Sequence, residues 1–267
     1  MKLIQGLQKL NFPQEQIDRL APLMEAYIKE LRLFNSAYNL VNTDDREEIV
    51  VRHILDSLSA WQQIAALADE RQKLLADQNG AGLSDAAQSG ASQAISIADI
   101  GSGGGLPGIP LAAALPQYNF TLIERMSKRC AFLQNAAAIL GLKNVQVQNL
   151  ELEKTPAASI DIATFRAFRP LDKKMLKSLL AVLKADGVLA AYKARRSKIL
   201  EEMGALGYTE QAADCDSANG DESAAASFAP GSPNESRVYK IIPLDVPFLT
   251  DTNSGDDRER NLVILKA

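Results

Sequence analysis

The stretch IADIGSGGGLPGIPLAAALP, residues 97–116, holds five glycines and three prolines between an apolar run and an alanine-rich run. Just upstream, ISIADI (95–100) has the length and apolar content of a short buried strand. Pro107 suits the first turn of a helix, where its missing N–H leaves nothing unpaired. A strand, a glycine-rich turn and a helix, in that order, open a doubly wound α/β sheet. Ligands of such sheets bind above the carboxyl ends of the strands, where strand order reverses.

Working outward, the punctuation stays regular. NFTLIE (119–124) reads as a second strand, followed by a helix over Lys128–Leu140 that Gly141 stops. NVQVQN (144–149) and IDIATF (160–165) are the third and fourth strands. A helix over 171–183 leads to a fifth, GVLAAYK (187–193), and a short helix follows to Leu206. RVYKIIPL (237–244) and NLVILKA (261–267) are β-rich runs suited to an antiparallel hairpin. Strands alternating with helices imply right-handed crossovers and a mostly parallel sheet. The expected fold is therefore α/β, with a doubly wound, seven-stranded sheet ending in an antiparallel hairpin.

Upstream of the sheet, residues 3–65 carry helical periodicity, with Leu20, Met24, Tyr27, Ile28 and Leu31 on one stripe. A second segment starts at Asp45 as N-cap and runs through Ile49, His53 and Leu58. Between them, NSAYNLVN reads as a turn with buried Tyr38 and Leu40. Residues 1–66 thus form a two-helix N-terminal cap, and 95–267 the ligand-binding domain. Residues 67–94 and 211–235 shift to Ala, Ser, Gly and polar or acidic residues, too small and polar to build a core, and read as flexible insertions, the first at least from Asp77 onward.

The 267 residues, 46% hydrophobic, can bury a core of normal size. Cys130 and Cys215 lie far apart with no CxxC spacing, and His53 is the single histidine, so no metal site is expected. Cys130 reads as a small packed residue. The N-terminus has too short an apolar run for a signal peptide, and no stretch reaches the ~20 apolar residues of a spanning helix. A cytoplasmic, monomeric protein is expected.

The glycine loop fits two registers. Gly103, Gly105 and Gly108 match G-x-G-x-x-G, the dinucleotide pattern. Asp99, Gly101, Gly103 and Gly105 match D-x-G-x-G-x-G, the pattern of class I methyltransferases that bind S-adenosyl-L-methionine. In that setting Asp99 lies near the amino-acid end of the ligand. Glu124 suits either, since an acid ending the second strand accepts hydrogen bonds from ribose hydroxyls. Asp99 favours the methyltransferase. An NAD(P)-dependent oxidoreductase and a non-catalytic ribosome-associated factor are the alternatives.

Several segments together resemble one family: AYNLVN (37–42), VRHILDSL (51–58), DIGSGGGLPGIPLA (99–112), FTLIERMSKRCAFL (120–133), FRAF (165–168) and ERNLVILKA (259–267). The chain is similar to the bacterial small-subunit (16S) ribosomal RNA guanine-N7 methyltransferases, RsmG or GidB, the glucose-inhibited division protein B family. The resemblance implies a Rossmann-like methyltransferase fold and methyl transfer from S-adenosyl-L-methionine to N7 of one guanine in small-subunit rRNA. It also implies ligand contacts at Gly101, Leu106, Glu151, Leu152 and Arg166. The family commonly carries Trp where this chain has Phe34 and Gly where it has Ala194. Guanine N7 has a free lone pair and no proton to lose, so alignment can suffice and no catalytic base is expected. His53 reads as a packed, hydrogen-bonded residue.

An RNA substrate calls for local positive charge in a chain whose net charge is −4. Residues 166–198 hold ten basic residues against two acids, a local net of +8, and 201–260 hold thirteen acids against four bases, a net of −9. Arg169, Lys193, Arg195 and Arg196 are the candidates for RNA contact, while Lys173, Lys174 and Lys177 read as a solvated helix face.

Overall fold

The computed structural model of the chain describes residues 2–80, 94–166, 171–211, 237–249 and 259–267. Its centre is a sheet of strands β1 (Ser96–Ile100), β2 (Asn119–Ile123), β3 (Val145–Gln148), β4 (Ile160–Arg166), β5 (Leu183–Lys193), β6 (Thr209–Glu210), β7 (Val238–Pro243) and β8 (Asn261–Lys266). The order is β3-β2-β1-β4-β5-β8-β7-β6. β1 to β5 pair in parallel, while β8 runs antiparallel to both β5 and β7, closing the expected hairpin. Among the described residues there are eight strands, one more than the seven expected. The eighth, β6, is two residues long and lies parallel to β7; so short a run shows no alternation to read.

Alternation divides the strands between two layers. On β8, Leu262 and Ile264 face one hydrophobic cluster while Val263 and Leu265 face the other. The first face is covered by α6 (Gly108–Ala114), α7 (Ser127–Ile139) and the N-terminal helices, the second by α8 (Lys173–Ala181) and α9 (Arg196–Leu206).

The N-terminal region has more helices than the two expected: α1 (Lys2–Lys9), α2 (Gln14–Tyr38), α3 (Arg46–Ile49), α4 (Asp56–Leu58) and α5 (Trp61–Gly80), with a π-helical turn at Val50–Leu55 joining α3 to α4. Asp45 caps α3, its carboxylate accepting from Glu48 N–H at 2.7 Å. Asn35 shapes the turn after α2, its Oδ1 accepting from the N–H groups of Leu40 and Val41 at 2.9 Å each. Tyr38 and Leu40 in that turn are half-buried rather than buried. Where residues 67–94 read as a flexible insertion, at least from Asp77 onward, the chain stays helical through α5 to Gly80, with Leu67, Ala68 and Arg71 buried. Arg71 is held by Asp161 of β4 at 3.3 Å, so a helix polar in composition is anchored by an ion pair. Residues 81–93 of that insertion, and 212–235 of the second, lie outside the described residues. The N-terminal helices share one core with the sheet, since Tyr27, Leu31, Ile54 and Leu58 pack in the cluster that holds Ile97, Phe120 and Ile162.

Candidate functional site

At the carboxyl ends of β1, β2 and β4 lies a cleft of about 850 Å³. Its floor is the loop after β1, from Gly101 to Gly104 with Leu106; one wall is Leu40–Asn42 of the α2–α3 turn, and the other Leu150–Glu153. Glu124 and Arg166 reach it from the ends of β2 and β4. The volume falls in the range that encloses a nucleoside-sized ligand.

The loop is held from both sides. Gly101 and Ser102 donate their N–H groups to Ile123 O at 2.8 and 3.1 Å, tying the loop to β2. The buried Tyr27 hydroxyl of α2 donates to Gly104 O, which fastens the helical layer to the loop. Gly101, Gly103 and Gly105 all have positive φ. Their surroundings differ. A Cβ on Gly103 would meet nothing closer than 3.8 Å, whereas one on Gly105 would lie 2.6 Å from Ile109 and 2.9 Å from both Leu133 and the Tyr27 hydroxyl. Gly105 does not line the cleft; it faces the core, where only a glycine fits.

Asp99 is absent from the cleft wall as well. Alternation along β1 points it, like Ile97, at the α6 layer. There it is 1% exposed, and its Oδ2 accepts from Gly108 N–H at 3.0 Å. Burial raises its pKa to about 7, against smaller lowering effects from the Gly108 N–H and Arg166. Asp99 thus ties the strand to the start of α6 instead of touching the cleft.

Glu124 does face the cleft, though only 4% exposed. Its Oε2 accepts from Gly103 N–H and its Oε1 from Met126 N–H, both at 2.9 Å. The carboxylate is therefore fixed in direction, and each oxygen keeps a further lone pair. Leu106, Glu151 and Leu152 also line the cleft, with Glu151 ion-paired to Lys154 at 3.3 Å.

Arg166 is set by the π-helical turn. Its Nη1 donates to Asp56 Oδ2 at 2.8 Å and to Arg52 O at 3.1 Å, and its Nη2 lies 3.3 Å from His53 Nδ1. An arginine can only donate, so His53 Nδ1 is the acceptor and the ring proton sits on Nε2, which lies 3.2 Å from Asn42 Oδ1. Burial, then Arg166, Arg52 and Arg260, lower the His53 pKa to about 3. His53 is thus a neutral bridge from Arg166 to the far lip of the cleft. Asp56 is shared by two arginines, with Arg260 Nε at 3.3 Å. A motif-based reading reaches VRHILDSL but not this pairing, because Asp56 and Arg166 meet only through the fold.

The basic stretch behaves differently from its composition. Lys193 is half-buried and bound to both carboxylate oxygens of Glu202, at 2.9 and 3.0 Å. Arg196 pairs with Glu210 at 2.6 Å and Lys198 with Glu201 at 2.7 Å. Neither Lys193 nor Arg196 lines the cleft. Among the described residues, Glu201, Glu202 and Glu210 of the acidic run thus meet cations of the positive run through α9 and β6. Arg195 is exposed at the start of α9, and Arg169 lies outside the described residues.

The family model for rRNA small subunit methyltransferase G, GidB, matches residues 21–213. The chain belongs to the GidB family. A relative named ribosomal RNA small subunit methyltransferase G from Treponema denticola is 35% identical over 99% of this chain and 93% of its own. The proteins of that name from Treponema pallidum and Neisseria meningitidis are 38% and 30% identical, over 68% and 96% of this chain and 72% and 91% of theirs. No helix of the described residues is long and apolar enough to cross a membrane. As a GidB chain, this protein has an S-adenosylmethionine-dependent methyltransferase's Rossmann-like sheet with a helical N-terminal layer.

Proposed function

We propose that this GidB protein methylates N7 of one guanine in small-subunit ribosomal RNA, with S-adenosyl-L-methionine as donor, acting as a monomer in the cytoplasm. The observation that carries the reading is the fixed Glu124 carboxylate at the end of β2, facing a cleft whose floor is the open backbone of Gly101 and Gly103.

The residues present fit the cofactor. Glu124 has lone pairs directed into the cleft for two ribose hydroxyls. Gly101 and Gly103 let the ligand approach the backbone, and a Cβ at 103 would fill that space. Leu106, Glu151 and Leu152 complete the walls. Arg166 spends three of its five N–H groups on Asp56, Arg52 O and His53, which leaves two for a ligand carboxylate. Asp99 and Gly105 support this arrangement from below.

The cofactor supplies a methyl group on a sulfonium, and N7 supplies the lone pair. The chain's task is then to align the two and exclude water. His53 is unsuited to take a proton, because burial and three arginines keep it neutral and Arg166 occupies its acceptor nitrogen. Effective molarity from alignment alone can lower the barrier by about 7–11 kcal/mol.

The test is transfer of labelled methyl from the cofactor to undermethylated small-subunit RNA, with the product mapped by cleavage at N7-methylguanine. Labelling at one guanine is expected. Binding of S-adenosylhomocysteine without transfer to RNA leaves only the non-catalytic alternative, and tight NAD(P) binding in its place overturns the assignment.

A further inference from the structure

Positive charge at the mouth of the cleft comes from residues outside the basic stretch's paired part. Arg125 and Lys128 are exposed at the turn from β2 into α7, and among the described residues neither has a carboxylate partner. Arg125 lines the cleft, and so do its neighbours Met126 and Arg129. Across the opening, Met175 of α8 lines the cleft, and Lys173 and Lys174 in the same turn are exposed and likewise unpaired among the described residues. By contrast Lys193, Arg196 and Lys198 are each answered by a glutamate.

From this we infer that the RNA strand crosses the mouth of the cleft between two cationic lips, Arg125 with Lys128 on one side and Lys173 with Lys174 on the other. The inference rests on the rRNA methyltransferase reading and names the surface that reading requires. A chain with a net charge of −4 repels a polyanion except where cations stand unneutralised. A compact anion is held by donors that converge on one point. Cations on separate elements either side of an opening suit an extended one, with phosphates on the lips and one base turned inward. Glu153, on the Leu150–Glu153 wall that packs beside α8, and Asp172, which caps the helix, make the α8 lip the less positive of the two. The Arg125 and Lys128 side therefore contributes more.

The experiment measures binding of undermethylated small-subunit RNA across a salt series, for the native chain and three variants. Arg125→Gln with Lys128→Gln is expected to weaken binding about tenfold and to lower the salt slope by about 1.4, since each phosphate no longer neutralised on a single strand removes about 0.7. Lys173→Gln with Lys174→Gln lowers the slope by a smaller amount. Arg196→Gln, whose charge Glu210 already cancels, leaves it unchanged. KM for RNA rises in both double variants, while Lys173→Gln with Lys174→Gln keeps the native kcat at saturating RNA and the native affinity for S-adenosylhomocysteine. Native slopes in both double variants overturn the inference, as does an equal loss in Arg196→Gln, or loss of binding to anionic lipid vesicles with RNA binding intact. A native chain that methylates no small-subunit RNA sinks the underlying reading instead.

Discussion

Two groups at the cleft, the half-buried His53 on its wall and the buried Asp99 beneath its floor, titrate in opposite senses, and each can be read from stability. His53 has a folded pKa of about 3, below the ordinary value of 6.5, chiefly because burial penalises its charged form. The unfolded chain therefore binds more protons between pH 3 and 6.5, and His53 makes stability rise with pH across that window. Asp99 is the reverse: burial lifts it from 3.8 to about 7, so the folded chain holds the extra proton and stability falls as pH rises from about 4 to 7. Each slope is at most about 1.4 kcal/mol per pH unit, and between pH 4 and 6.5 they offset one another. Removing one exposes the other. Urea unfolding of His53→Asn is expected to show stability falling from pH 4 to 6.5 relative to the native protein, and Asp99→Asn to show it rising. Parallel pH curves for all three proteins rule this out. Asp99 also shows where reading a motif stops. Its register in D-x-G-x-G-x-G is visible in the sequence, but its direction follows from the pleat of β1 and the position of α6, which a spacing pattern does not contain.

At the scale of the element, the glycine loop holds two kinds of glycine at one spacing. Gly103 opens to the cleft, and Gly105 is wedged against Ile109, Leu133 and Tyr27. Both have positive φ, so alanine at either costs about 1–2 kcal/mol in backbone strain. At Gly105 the added methyl also overpacks the core, for a further 1–3 kcal/mol or about that. Gly105→Ala should therefore lower the melting temperature by several degrees more than Gly103→Ala does. Gly103→Val should keep its fold and lose S-adenosylhomocysteine binding in a calorimetric titration. If instead the Gly103 variant binds normally, the loop's role as floor is wrong. The strand–loop–helix unit was legible because its signals are local: β-branched residues, glycines, then Pro107. What escaped was what depends on distant partners. The charges of 166–198 were plain, but Glu202 and Glu210 reach back to cancel Lys193 and Arg196 only once α9 and β6 are in place. Likewise α5 runs on to Gly80, past the residue where the insertion reads as beginning: LADERQKLLA is made mostly of good helix formers, Leu67 and Ala68 are buried, and Arg71 meets Asp161 far along the chain.

For the whole molecule, the question is whether the helical N-terminal layer is a separate unit, as the division at residue 66 implies. Among the ties that cross that boundary are Tyr27 to Gly104, Tyr192 to Ser57 O at 2.8 Å, and Arg166 to Asp56 at 2.8 Å. Side chains of both regions also fill one hydrophobic cluster. The layer supplies the Leu40–Asn42 wall and His53, so the cleft is incomplete without it. One core predicts one unfolding transition. The chain has a single tryptophan, Trp61, and it belongs to the helical layer, stacked on Phe12 at 4.4 Å with its indole N–H donating to Leu10 O at 2.9 Å. Tryptophan fluorescence therefore reports the layer alone, while far-ultraviolet circular dichroism reports the whole chain. In urea the two curves are expected to share one midpoint, and saturating S-adenosylhomocysteine should move both by the same amount, because the ligand stabilises the cleft that the layer and the sheet build together. A fluorescence transition that comes first and ignores the ligand would mean that the layer unfolds by itself, and that the ties through Tyr27, Asp56 and Ser57 do not couple it to the sheet.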